Sequence, residues 1–313
     1  MDQCLSSVLA ADPPPAEVIL VDNGSTDDTV AHVRQHFPTV TVVALEHNAG
    51  FSAGNNAGAR RASSRYLVFL NNDAEAQPSW LAELTAPAEA DPRVGLVTSR
   101  IVYMDRPDTI DSAGDGYLRC GGAFKRLHGQ SVEHGHAPEE VFGACGAAFL
   151  IRRDLFESLG GFDEDFFMVY EDVDLSYRAR LRGARCLYAP RAIVRHAGSG
   201  SIGHVSARQV FYGQRNLEWT WIKNTPSRLL WRSLLPHLAY DLAGALAYAR
   251  RGHFGVWCRA KWSAVGQWGR MTRKRREIQR TATADPESLW ALMDPDWIGI
   301  KRREKAFDFD DLG

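Results

Sequence analysis

The chain is poor in cysteine, in unbroken apolar runs and in net charge. Its 313 residues include five cysteines (Cys4, Cys120, Cys145, Cys186, Cys258), odd in number and without Cys-x-x-Cys spacing. That argues against a disulfide framework and a zinc site and fits a reduced setting. The apolar stretch LLWRSLLPHLAYDLAGALAYA (229 to 249) is broken by Arg232, Pro236, His237 and Asp241, too interrupted to span a bilayer. The Gly- and Asn-rich run at 47 to 62 has neither G-x-G-x-x-G nor Walker spacing, so it supports neither a dinucleotide fold nor a P-loop. The first residues show no basic start and apolar core of a signal peptide. Net charge is only −1, but residues 1 to 198 hold 18 Lys+Arg against 27 Asp+Glu, and residues 199 to 313 hold 19 against 11. The two parts are expected to face different partners.

What is present begins with an α/β pattern. Residues 4 to 11 read as helix ended by Pro13-Pro14-Pro15, and EVILVD (17 to 22) as a buried strand, its uninterrupted apolar run suiting a parallel strand covered on both faces. A polar turn from Asp22 to Asp28 leads into a helix to about Phe37, and TVTVVAL (39 to 45) is another strand, completing a βαβ unit. In such sheets ligands bind beyond the carboxyl ends of the strands, where Asp22 sits, although Ser25, Thr26 or Asp27 could simply cap the helix. HNAGFSAGNNAGARRA (47 to 62) turns from loop to helix, and YLVFLNNDAE (66 to 75) is a strand ending in Asn71-Asn72-Asp73. Oxygen donors at a strand's end suit Mg²⁺ or Mn²⁺, which share them with substrate phosphates; one Asp in a turn is more often structural. A helix (78 to 90) and a strand (94 to 103) follow, then a polar, irregular segment from Asp105 to Glu140 that reads as a flexible loop over the site.

The most concentrated chemistry lies between Phe142 and Gly183. Gly143, Ala144, Gly146, Ala147 and Ala148 permit close backbone approach to a ligand or a neighbouring element, and Phe149, Leu150 and Ile151 read as buried strand. An apolar wall from Phe162 to Tyr170 precedes Glu171, Asp172 and Asp174 at the start of a two-faced helix. These acids suit a helix N-terminus, with Asp174 and Arg178 as an i,i+4 pair. A carboxylate against an aromatic wall is also partly desolvated, which makes it a better proton acceptor near neutral pH. His196 ends a late strand, as Asp73 ends an earlier one; a lone His is more often structural than a ligand.

VDNGSTDDT, HNAGFSAGNNAG, FLNNDA, GACGAAFLIRRDLFESLGGFDEDFF, EDVDLSYR and RHAGSGS, in this order, together resemble the family-two inverting glycosyltransferases of GT-A fold, particularly the bacterial rhamnosyltransferase-like branch. The resemblance covers roughly residues 3 to 200. It implies a GT-A (Rossmann-like) mixed, mainly parallel sheet with helices on both faces. It also implies that Asp22 contacts the nucleotide base, that Asn48, Asn55, Asn72 and Glu171 line the substrate and nucleotide pocket, and that Asp73 and His196 hold a divalent metal (Mg²⁺ or Mn²⁺). Asp172 matches the family's general base. Asn71 stands where the family's DxD motif has its first Asp. The family's opening strand, which lies beside EVILVD in mid-sheet, has no counterpart here. Without it EVILVD and YLVFLNND must pair with each other or leave a gap, at about 1–3 kcal/mol per unpaired buried group. The expectation is therefore a native start roughly 10 to 20 residues upstream, enough for one strand and its turn.

The expected organisation is a catalytic domain over 1–205 and a helical, basic, Trp-rich appendage over 206–313, with no strong pattern after Asp285. Eight of nine Trp lie beyond residue 218, and residues 250 to 280 carry ten Lys+Arg against one Glu. Basic residues interleaved with Trp257, Trp262 and Trp268 suit an anionic membrane surface, so 229–280 is the expected membrane contact. Nucleic acid and a solvated helical hairpin are the competing readings, and no nucleic-acid partner is expected. The resemblance implies a nucleoside diphosphate sugar donor, best guessed as rhamnosyl, and a glycan or polyprenyl-linked acceptor at the cytoplasmic face of the plasma membrane. Rivals are a non-catalytic nucleotide-sugar-binding protein of the same fold and a pyrophosphorylase-like enzyme, which would want a Gly/Arg/Lys-rich phosphate signature near the N-terminus.

Overall fold

The computed structural model describes residues 1–198 and 206–310. The last part of RHAGSGS, from residue 199, and the domain boundary expected at 205 lie outside these residues. In chain order the elements are α1 (Asp2–Leu9), β1 (Ile19–Asp22), α2 (Thr29–His36), β2 (Thr41–Ala44), α3 (Gly50–Ala59), β3 (Tyr66–Leu70), β4 (Ala74–Ala76), α4 (Trp80–Ala90) and β5 (Val94–Tyr103). Then come β6 (Ile110–Ser112), β7 (Asp115–Tyr117), β8 (Ala123–Lys125), β9 (Glu139–Glu140), β10 (Ala148–Arg152), α5 (Arg153–Ser158), α6 (Glu171–Leu181) and β11 (Arg185–His196). The C-terminal region is helical throughout its described residues: α7 (Ala207–Asn224), α8 (Ser227–Arg250), α9 (Phe254–Gly266), α10 (Trp268–Arg280), α11 (Pro286–Leu292) and α12 (Trp297–Asp310).

The larger sheet has the order β3-β10-β5-β11-β4, with β6 on β5 and β9 on β11. It is mixed, as expected, but less parallel. β10 pairs antiparallel with both β3 and β5, β4 pairs antiparallel with β11, and only the long β5–β11 ladder is parallel. The reason is local: β10 is inserted between two strands that both run against it. Two apolar layers cover the sheet, one built on Phe69, Phe149, Phe156 and Phe162, the other on Trp80, Leu84, Val97 and Leu150.

β1 pairs in parallel with β2 and with no other strand among the described residues. Between β1 and β3 lies a cavity of about 390 Å³, lined by Val18 to Val21 on one side and Tyr66 to Leu70 on the other, with α1 and α3 residues around it. The two strands therefore leave a gap. For the same reason β1 is not covered on both faces: Ile19, Leu20 and Val21 are only half-buried.

The segment 105–140 is not a flexible loop over the site. Ile110 to Leu118 is buried, β6 pairs with β5, and β7 pairs with β8 as a hairpin. It lacks a strand-like alternation because its strands are only two or three residues long and buried Asp111, Ser112 and Asp115 stand among the side chains that join the core. α6 is also less amphipathic than its spacing suggests. Every residue in it except Asp172 is buried, because α7 and α10 cover the side turned away from the sheet. The tail after Asp285, unpatterned in sequence, forms α11 and α12, and Leu289, Trp290 and Met293 join the cluster under α6.

Candidate active site

The Asn71-Asn72-Asp73 turn leaves β3 and is closed by the Ala74 amide donating to the Asn71 carbonyl (3.1 Å). β4 then pairs with the end of β11, Ala74 opposite His196, and this register brings Asp73 Oδ1 to 3.3 Å from His196 Nε2. Asn71 Nδ2 is 3.4 Å from the same nitrogen. On the other side of the ring, His196 Nδ1 is 3.0 Å from Asp111 Oδ2, and Asp111 Oδ1 accepts from Lys125 Nζ at 2.6 Å. Burial opposes a charge on His196, but the two carboxylates that bond it push its pKa up to about 9. The His196 bond holds the half-exposed Asp73 below the usual carboxylate range. Asp111 is buried, which opposes ionisation, yet the Lys125 ammonium keeps it well below that range.

Among the described residues no three His, Cys, Asp or Glu side chains converge as a self-sufficient metal cage. The donor set still fits a divalent cation that shares its ligands with a diphosphate. Asp73 offers a carboxylate oxygen, His196 offers Nε2 with its ring fixed from behind by Asp111, and phosphate oxygens can complete the shell.

Asp172 sits at the start of α6, half-buried and facing the Gly143 to Ala148 segment. Its Oδ2 accepts from the Gly146 amide at 2.7 Å and its Oδ1 from the Val173 amide at 2.8 Å. A Cβ on Gly146 would lie 2.8 Å from that Oδ2, and one on Gly143 would lie 2.8 Å from Ser176 Cβ. The small residues thus serve close approach to a neighbouring element, α6. Burial raises the Asp172 pKa, although the Gly146 and Val173 amides pull it down. Burial and then the Asp172 charge raise its neighbours Glu171 and Asp115 well above ordinary carboxyl values. Glu171 Oε2 is buried with no hydrogen-bond partner. Asp115 is placed by mutual backbone hydrogen bonds with Gly143, at 2.9 and 3.0 Å.

The turn before α6 is strained. Val169 (φ 67°) and Tyr170 (φ 76°) are left-handed, which is costly for a β-branched residue and typical of functional sites. Asn216 on α7 holds this turn by donating from Nδ2 to the carbonyls of Met168 (2.9 Å) and Val169 (2.7 Å).

On the donor side, Asp22 is buried at the end of β1 and its Oδ2 accepts from the Ser25 amide at 3.2 Å, a turn-stabilising bond. Asn48 meets the same turn through the residue after Asp22. Asn23 Nδ2 reaches Asn48 Oδ1 (3.3 Å) and the Gly50 carbonyl (3.1 Å), while Asn23 Oδ1 accepts from the Ala49 amide (2.9 Å). Asn55 and Asn72 both line the cavity between β1 and β3. Asp111, Asp115 and Lys125 were missed because they lie in the segment read as a loop. Two aspartates in the Gly-bearing run DSAGDG were the available signal. Asn23 and Asn216 gave none beyond their polarity.

The model of glycosyl transferase family 2 matches residues 1–160. The chain belongs to that family. Two family relatives mark its range: the O-antigen biosynthesis protein RfbC of Myxococcus xanthus is 36% identical over 200 residues, 60% of this chain and 15% of that protein. The N-acetylglucosaminyl-diphospho-decaprenol L-rhamnosyltransferase of Mycobacterium tuberculosis is 26% identical over 289 residues, 82% of this chain and 88% of that protein. The fold is that of GT-A glycosyltransferases. A mannosyltransferase from Pyrobaculum calidifontis, solved with GDP-Man and Mn²⁺, superposes with a TM-score of 0.52 at 20% identity over 93% of this chain and 81% of that one. GalNAc-T7 with UDP, GalNAc and Mn²⁺ gives 0.55 at 18% identity over 69% and 44%.

Proposed function

We propose that this family 2 protein transfers a sugar, best guessed as rhamnose, with inversion, from a nucleoside diphosphate donor to a hydroxyl of a glycan or polyprenyl-linked acceptor. The setting proposed is cell-envelope polysaccharide synthesis at the cytoplasmic face of the membrane. One observation carries the reading. Two chemically different centres, the Asp73–His196 pair and the Asp172–Glu171–Asp115 carboxyl cluster, are bridged by Lys125, which bonds Asp111 and bears electrostatically on both Asp115 and Asp172. The relatives' names, rhamnosyltransferase and O-antigen biosynthesis protein, support the choice of sugar and pathway class.

In this reading Asp172 takes the proton of the acceptor hydroxyl as that oxygen attacks the anomeric carbon. Burial makes it a stronger base than an exposed carboxylate, and the Gly146 amide aims it. Asp73 and His196 would hold a divalent cation, which supplies charge to the leaving diphosphate when bound. Asp22 would contact the donor base, Asn48, Asn55 and Asn72 would line the donor pocket, and Glu171 would bond the substrate through its orphan oxygen.

The test is a panel of nucleoside diphosphate sugars assayed with Mn²⁺ or Mg²⁺ for release of nucleoside diphosphate, with NMR of the product's anomeric configuration. Metal-dependent release with inversion supports the proposal. A melting temperature raised by nucleotide and Mn²⁺ with no turnover on any donor and acceptor pair would show a binding protein instead.

A further inference from the structure

The surface of α8 carries a feature that sugar transfer does not use. Trp231, Leu235, Leu238, Leu242 and Leu246 are 76%, 76%, 55%, 63% and 52% exposed. Their steps of four, three, four and four residues place them on one side of the helix. The opposite side is buried and firmly tied. Leu229, Ser233 and His237 face the protein, His237 Nδ1 is 2.9 Å from the Cys120 carbonyl, and its Nε2 is 3.0 Å from Glu218 Oε2. The helix is thus oriented by its inner face, and the apolar stripe points outward over four turns. Five large apolar side chains in a row exceed what a soluble monomer ordinarily leaves to water. α9 packs beside α8 and exposes Phe254, Trp262 and Val265, again at one-face spacing.

We infer that this outer face of α8 and α9 docks on an anionic lipid bilayer, lying in the interface without crossing it. No helix among the described residues is long and apolar enough to cross a membrane. Exposed Arg250 and Arg259 on the same two helices, and Arg273 on α10, set positive charge around the stripe. The acid on α8, Asp241, is neutralised by Lys261 at 2.5 Å. An apolar stripe bearing Trp and fringed by Arg matches the acyl–headgroup boundary of an anionic membrane. A second copy of this chain suits it less, because a twofold interface would set the same arginine fringe against itself.

Within the expected 229–280 stretch, the apolar surface and much of the basic charge fall on different helices. Much of the basic charge of α10 is spent inside the protein: Arg270 bonds Asp165 (2.6 Å), Lys274 bonds Asp163 and Asp165, and Arg275 donates to the carbonyls of Ile222 and Thr225. The apolar surface comes instead from the stretch whose Arg232, Pro236, His237 and Asp241 make it look broken. All four lie off the stripe: Arg232 bonds Glu287, Asp241 bonds Lys261, His237 packs inward, and Pro236 lies one turn after Arg232 on the flank.

Co-sedimentation of the full chain with vesicles tests this directly. The wild type is expected to pellet with phosphatidylcholine vesicles containing phosphatidylglycerol and at least tenfold less with pure phosphatidylcholine, with binding reduced at high salt. The double variant Leu235→Glu/Leu242→Glu is expected to lose at least tenfold in vesicle binding. Its melting temperature and its binding of nucleoside diphosphate with Mn²⁺ should match the wild type, because both positions are solvent-exposed and away from the site. Trp262→Ser provides a second, independent loss on α9. Wild type that stays in the supernatant with anionic vesicles overturns the inference, as does pelleting that the double variant leaves unchanged. So does a dimer in sedimentation equilibrium that the double variant converts to monomer while the wild type binds no vesicles. Nucleotide binding without vesicle binding would sink this surface alone, and vesicle binding without transfer would sink the catalytic proposal alone.

Discussion

His196 Nδ1 lies 3.0 Å from Asp111 Oδ2 while its Nε2 faces Asp73 Oδ1 at 3.3 Å, so one buried carboxylate sets the orientation of a ring whose other nitrogen points into the site. A second carboxylate behind a ligating histidine fixes both its tautomer and its angle, and losing such a partner commonly costs 10- to 100-fold in metal affinity. Asp111→Asn is therefore expected to weaken Mn²⁺-dependent nucleotide binding by roughly tenfold or more, read by calorimetry. It should also change the His196 ring ¹⁵N shifts, which no merely structural effect on turnover would do. Asp111→Asn strands Lys125 and will lower the melting temperature. Asp111→Asn/Lys125→Met removes the stranded charge and should recover stability without recovering nucleotide affinity. Unchanged ¹⁵N shifts and affinity would rule the positioning role out.

Asp172→Asn should leave donor binding intact, because the Gly146 amide can still donate to the remaining side-chain oxygen, and should lower turnover by about 10²-fold or more. Normal transfer by this variant would remove Asp172 as the base. Because burial raises the Asp172 pKa, the acidic limb of kcat/KM should lie above the range of an ordinary carboxylate, with the rate rising as pH climbs through it. Gly146→Ala should also cost activity, since its Cβ would sit 2.8 Å from Oδ2 and push the carboxylate aside.

The βαβ opening and the strand ends at Asp22 and Asp73 were legible in the sequence, because each rests on a local pattern that tertiary contacts reinforced, whereas the pairing of Asp73 with His196 followed only from the family resemblance. Other features were not. The hairpin from Asp115 to Lys125 has no alternation to read, since its strands are only three residues long and polar Asp115 and Lys125 stand among residues that pack on two separate clusters. The docking of the C-terminal helices depends on pairs far apart in sequence, such as Lys223 with Asp163 and Asp174 at 2.5 and 2.7 Å. Charge counts registered the basic excess of that region but could not tell a solvated arginine from one spent on a buried aspartate. Asp174 itself shows both levels: its i,i+4 bond to Arg178 (2.8 Å) follows from spacing, whereas its bonds to Lys223 and Asn224 (2.7 Å) do not.

Glu171 offers a separable test of function against stability. It is buried, its Oε2 has no partner, and burial together with the Asp172 charge raises its pKa well above the usual value. A carboxyl whose folded pKa is raised contributes most below its unfolded pKa, and that contribution is lost as pH rises through the folded value. Glu171→Gln should therefore raise the melting temperature at neutral and alkaline pH, while leaving it nearly unchanged near pH 4. If Glu171 bonds the substrate, the same variant loses turnover as it gains stability. A variant that gains stability and keeps full activity would leave Glu171 outside the reaction.

The opposite sign holds at Glu218, where α7, α8 and α9 meet. Its Oε2 is 3.0 Å from His237 Nε2 and its Oε1 accepts from Lys261 Nζ at 2.5 Å, while His237 stacks on Trp221 with ring centroids 3.8 Å apart. Burial opposes ionisation, but the His237 bond and the Lys261 charge bring the Glu218 pKa down to about 2 from an ordinary 4.5. A carboxylate with a depressed folded pKa stabilises fully above its unfolded value, and that contribution disappears as pH falls through the folded one. The window is therefore between about pH 4.5 and 2, and the shift corresponds to stability of about 3 kcal/mol at most. Glu218→Gln should lower the melting temperature at pH 7 and flatten its decline between those pH values, because the neutral amide has no charge to lose. The stacked Trp221 provides the local readout, as its near-ultraviolet signal should fade across the same window in the wild type and show no such transition in the variant. A wild type whose melting temperature and Trp221 signal are constant from pH 4.5 to 2 would show that this buried cluster does not hold the three helices together by charge.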